Sequence, residues 1–183
     1  MRKARWLAAA AIIAVFMCSV VAFAASVDPS TELSTPGSSE IDLENMQVGD
    51  IVYIGNTAIQ RVADDDEGPS DSIARTTTEG FSVTSFAGNQ SLDKTLSLNS
   101  TYRYFFIWVN NTSNNKIQVT IGNDETTQTN NFHQIAQGKY YIWSTNQWPA
   151  ESQTVSFSNG GGMYGSAAAR LCSTLAEAEA HNG

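Results

Sequence analysis

The chain is 183 residues long, with 10 basic and 18 acidic residues and a formal charge of −8 at pH 7. Phosphate backbones and anionic headgroups repel so acidic a surface, which sets aside nucleic acid and anionic membrane surfaces as partners. Two cysteines, Cys18 and Cys172, are too few for a disulfide framework.

The N-terminus carries the most specific signal. Arg2, Lys3 and Arg5 precede an apolar run from Leu7 to Val21, and Ala22-Phe23-Ala24 places small residues at −3 and −1 before Ala25. This is the pattern of a cleaved secretory signal peptide, residues 1–24. The competing reading, a retained anchor, has an apolar run slightly short of the roughly 20 residues that a span needs. Cys18 follows Phe16 and Met17, where a lipidation site would carry small residues. Either way the positive flank stays inside and the rest is exported, so the expected location is secreted or extracellular, with no membrane attachment after cleavage. Loss of Arg2, Lys3 and Arg5 leaves seven basic against 18 acidic residues, a formal charge of −11. Cys172 then stands alone and reads as a small apolar residue, since no histidine or basic pair lies beside it.

Residues 25–46 read as a disordered tether. The stretch "SVDPSTELSTPGSSE" is polar, contains Pro29 and Pro36, and lacks an apolar period. Residues 47–183 are expected to form a single domain.

Within it, "DIVYI" (50–54) and "TAIQRV" (57–62) flank Gly55-Asn56, a turn pair suited to a tight hairpin. The acidic loop "ADDDEGPSDS" follows. Asp64, Asp66 and Asp71 form a calcium candidate through their carboxylate oxygens, although the spacing is not that of an EF-hand and adjacent acids more often make a solvated charge run. Short β-prone runs then occupy 72–78, 80–86 and 95–98.

The run from Tyr102 to Val109 is apolar or aromatic on both faces, as expected of a central strand covered on both sides. Ile117, Val119 and Ile121 alternate with polar residues, a strand with one wet face. "KYYIWS" (139–144) and "TVSF" (154–157) complete eight or nine strands. The fold class expected is all-β: an antiparallel β-sandwich, with a jelly roll as a candidate winding. In the tail, "SAAARLCSTLAEAEA" has strong helix formers, with Ala167, Leu171, Leu175 and Ala178 at helical spacing, and predicts a short C-terminal helix. The alternative is a last strand, 163–172, paired with 154–157, with only the tail helical.

Four rings fall within ten residues: Tyr140, Tyr141, Trp143 and Trp148. Trp148 precedes Pro149 in a polar loop, a position that predicts exposure. Exposed rings stack on sugar faces while Asn and Gln bond hydroxyls, so these four residues are the candidate ligand-binding set. The competing reading is that they pack the sandwich. Enzyme motifs are scarce: His133 and His181 stand in no H-x-x-x-H, and C-x-x-C and G-x-S-x-G are absent. No catalytic residue or cofactor is expected. Asn89, Asn99, Asn110 and Asn111 head glycosylation triplets, relevant only in a host that uses them. The expectation is an exported, non-enzymatic binding module for a glycan or extracellular protein. The alternative is a structural or assembly subunit of a surface layer or appendage, and an enzyme comes third. The sequence leaves the oligomeric state open.

Overall fold

The computed structural model describes residues 43–69, 77–123 and 132–180. The expected signal peptide, residues 25–42 of the expected tether, and Asp71 lie outside these. The described chain opens with a 3₁₀ turn, Leu43–Asn45. Leu43 and Met46 are both buried, so the last residues assigned to the tether on sequence belong to the core.

Ten strands follow: β1 (Ile51–Ile54), β2 (Thr57–Val62), β3 (Thr78–Ser85), β4 (Ser91–Ser97), β5 (Tyr104–Asn111), β6 (Ile117–Ile121), β7 (Phe132–Ile135), β8 (Gly138–Ser144), β9 (Ser152–Ser158) and β10 (Gly165–Cys172). A helix, α1 (Leu175–Glu179), ends the fold. The strands form two antiparallel sheets, ordered β1-β2-β8-β5-β10-β3 and β4-β9-β6-β7.

The last eight strands pair as nested hairpins. β3 pairs with β10, β4 with β9, β5 with β8, and β6 with β7. Successive pairs fall in alternate sheets, which is the winding of a jelly roll. The β1–β2 hairpin, closed by Gly55-Asn56 as expected, extends the larger sheet through the β2–β8 ladder.

The two-sided apolarity of β5 has a direct explanation. β5 lies between β8 and β10 in the larger sheet. Phe105, Ile107 and Val109 point into the sandwich, where Ile117, Val119, Ile121 and Phe157 of the smaller sheet meet them. Phe106 and Trp108 point outward into a second cluster with Ala58, Tyr141, Trp143, Cys172 and Ala178. That outer layer is roofed by α1 and by the loop after β2. Ala178 of α1 is buried in it, and Gly68 of the loop lies so close to Trp108 that a Cβ there would approach the indole ring to 2.7 Å. Burying side chains of this size contributes about 1.5–3 kcal/mol each, so one strand anchors two apolar layers.

The expected C-terminal helix is present but confined to the tail, and the segment before it is the last strand of the alternative reading. Residues 165–172 form β10, and only 175–179 are helical. Only the partner expected for that strand, 154–157, is replaced, because β10 lies between β5 and β3. The alanines suit this place. Ala168 lies opposite Trp108, while Ala167 and Ala169 line the inner core. Small residues between large rings let the layers interdigitate, and the unpaired backbone of β5 supplies a ladder that outweighs helix propensity. Gly165 starts the strand at φ 119°, where a Cβ would sit 1.9 Å from the Asn110 carbonyl oxygen. The helix begins only at Thr174, whose side chain accepts from the Glu177 N–H while Glu177 reaches back to the Ser173 and Thr174 N–H groups.

Candidate functional site

The four candidate rings do not form an exposed platform. On β8, Tyr140 faces the inner core while Tyr141 and Trp143 face the outer layer, and all three are buried. Phe106 meets Tyr141 edge-on at 5.9 Å. The Tyr141 hydroxyl donates to Asp66 Oδ1 at 3.2 Å, and burial together with that carboxylate pushes its pKa up.

Trp148, expected to be exposed, is 3% exposed. The cause is a pair of hydrogen bonds that fix its loop. The Trp148 N–H donates to the Arg103 carbonyl at 2.9 Å, and Arg103 Nε donates to the Trp148 carbonyl at 2.7 Å. The loop is thereby folded over one end of the sandwich and the ring turns inward, edge-on to Phe105 at 5.1 Å. Pro149 and the polar neighbours describe the loop's outer surface, not the direction of the indole.

The acidic loop is likewise built into the packing. Asp66 Oδ1 accepts from the Gly68 N–H at 2.8 Å as well as from Tyr141, and the Asp66 carbonyl accepts from Lys139 Nζ. Asp66 therefore ties the loop onto the outer aromatic layer. Asp64 is exposed. Among the described residues no three metal-ligating side chains gather.

The buried titratable groups belong to the same packing. His133 of β7 lies within the sandwich, its Nε2 3.0 Å from the Thr57 hydroxyl oxygen. That hydroxyl donates its one proton to the Ile54 carbonyl at 2.9 Å, so the His133 Nε2–H must be the donor and Nδ1 carries the lone pair. Burial holds the ring neutral and lowers its pKa to about 3. Burial, with Glu177 adding to it, pushes the Cys172 thiol up to about 12, so it stays protonated.

One shallow concavity, of about 340 Å³, lies on the outer face of the larger sheet beside β3, lined by Pro69, Glu79, Phe81, Val83 and Arg170 among others. None of the groups with displaced pKa lines it.

The sheet edges differ sharply. β3 is an irregular edge, with two register shifts against β10 and Glu79 within it. β4 carries Asp93 and Lys94. β7 has the 3₁₀ turn packed against it. Bulges, charges and covers of this kind protect edges from strangers. Among the described residues β1 has none of them. It is "IVYI", uncharged and regularly paired with β2 on one side. Val52 and Ile54 pack on the core, while Ile51 and Tyr53, on the other face, are 45% and 67% exposed. Val48, just before the strand, is 61% exposed. Sequence reasoning located this strand but not its exposure. The available signal was its two-sided apolarity in a strand joined to its neighbour by a two-residue turn at the start of the domain.

No protein-family model matches the chain, nor does any curated protein or solved structure.

Proposed function

We propose that the protein is an exported, non-enzymatic structural or assembly subunit, working outside the cell through contacts between folded domains. The observation that carries this reading is the apolar edge at β1, which no described residue pairs or covers, with Ile51, Tyr53 and Val48 outside. An open strand edge with exposed apolar side chains is a template for pairing. The three other edges are bulged, charged or covered. The inward packing of Tyr140, Tyr141, Trp143 and Trp148 weakens the sugar-stacking reading, which rested on them. Export rests on the N-terminal pattern of the sequence.

Sedimentation velocity of the exported chain, from about 10 μM to about 1 mM, tests the proposal over the range of weak association. The sedimentation coefficient should rise with concentration. It should rise further with salt, because copies of formal charge −11 repel each other over the Debye length of about 8 Å at 0.15 M. A coefficient independent of concentration and salt overturns the reading.

The concavity beside β3 favours a second reading, a binding module. Its volume falls at the small end of ligand sites, and apolar Val83 and Ala168 stand beside polar Glu79 and Arg170. A glycan array giving a hit that Val83→Glu abolishes would support it.

A further inference from the structure

We infer that two copies of the chain pair edge to edge through β1, antiparallel, with Ile51 of one opposite Tyr53 of the other. This rests on the assembly reading and specifies its contact.

The inference follows from the parity of the β1–β2 ladder. The Arg61 N–H donates to the Asp50 carbonyl, and the ladder runs through Val52↔Ile59 and Ile54↔Thr57. The Asp50 carbonyl and the backbone groups of Val52 and Ile54 thus point toward β2. The N–H and C=O groups of Ile51 and Tyr53 must point the opposite way, to the open edge. A two-fold pairing that uses these groups places residues 51 and 53 opposite each other, with the axis at Val52. Each copy then exchanges both bonds of a hydrogen-bonded pair twice.

The side chains agree with the same register. Ile51 and Tyr53 share the outer face, so each Tyr53 ring falls across the strand from an Ile51 of the second copy. Aromatic against β-branched is a favourable cross-strand pair. The axis leaves Val52 against Val52 on the core side. Just beyond the strand, Gly49 would face Gly55, two residues with no side chain to obstruct approach. Asp50 would face Ile54, so the acid nearest the contact does not oppose its own copy. In a chain this acidic, the uncharged segment 51–55 is where a second equally acidic copy can approach without like charges meeting.

A ladder this short buries much less than the roughly 800 Å² per partner of a stable interface. The contact is therefore weak, forming at high local concentration, and it calls for trapping. Ile51→Cys and Tyr53→Cys variants of the exported chain would be oxidised separately and as an equal mixture. Both sites are exposed, and the native Cys172 is buried. In a hydrogen-bonded antiparallel pair the Cα atoms are about 5.5 Å apart, within disulfide range. Residues 51 and 51, or 53 and 53, would be diagonal neighbours about 7–8 Å apart, beyond it. The expected result is a mixed dimer formed at least about five-fold faster than either self-dimer, as that difference in reach requires. Self-dimers of one variant that form as fast as the mixed dimer would overturn the register. Failure of all three to cross-link, while the wild-type chain still associates in the centrifuge, would overturn β1 as the contact and leave the assembly reading standing. A wild-type chain that is monomeric throughout would overturn both.

Discussion

Trp148→Ala tests whether the polar loop after β8 delivers its indole to the core. Burying about 200 Å² of aromatic surface at roughly 25 cal/mol per Å² contributes about 5 kcal/mol. The edge-on contact with Phe105 adds to this. Against it stands the buried indole N–H, which finds no acceptor among the described residues and costs about 1–2 kcal/mol. Truncation removes both, for a net loss of about 3–4 kcal/mol, within the usual range for large-to-small substitutions at aromatic core sites. A domain with a total stability of about 5–15 kcal/mol would survive, weakened. Urea denaturation followed by far-UV circular dichroism measures the loss without relying on tryptophan fluorescence. Trp148→Phe is the control: it keeps a ring against Phe105 and discards the unpaired N–H, so it should cost under about 1.5 kcal/mol. If Trp148→Ala costs less than about 1 kcal/mol with an unchanged denaturant slope, the ring is not core. The sugar-stacking reading would then regain its best residue.

Two further outcomes follow from the packing. Because the His133 pKa is about 3 in the folded chain and near 6.5 unfolded, its contribution is complete above pH 6.5 and is lost as pH falls toward 3, by up to about 1.4 kcal/mol per pH unit; urea midpoints of His133→Gln should fall less over that window than those of the wild-type chain, and parallel curves would show that the ring is solvated. Gly165→Ala should cost more than about 3 kcal/mol or prevent folding, since its Cβ would sit 1.9 Å from the Asn110 carbonyl oxygen at a positive φ; a thermal melt within a few degrees of wild type would mean that β10 does not start there.

The sandwich was legible where a strand's own composition reports its surroundings. The rings and branched residues of 104–109 marked a covered central strand, and the alternation at 117–121 marked one wet face. The winding was legible only as a candidate, because nesting is a property of pairings between residues far apart in sequence. Segments whose structure depends on a neighbour were misread or missed. The alanine run of β10 carries a helical preference, which the ladders of β5 and β3 override. β7, four residues with His133 and Gln134 adjacent at its centre, has too little pattern to announce itself, and pairing with β6 makes it a strand.

The same distinction explains why the candidate site moved. Trp148 and Tyr53 are both aromatic residues with polar residues close by in sequence, yet one is buried and the other is 67% exposed. Local composition describes the loop around Trp148 correctly but says nothing of Arg103, 45 residues earlier, whose two hydrogen bonds turn the ring inward. For β1, composition suggests a strand covered on both faces, as it does for β5. β5 meets that expectation because β8 and β10 flank it and α1 and the 63–69 loop roof it. β1 has the same apolar character and, among the described residues, a neighbour on only one side. An apolar strand without its second neighbour has unused pairing capacity, in backbone and side chains together. That open edge, rather than any ring, is what the proposed assembly rests on.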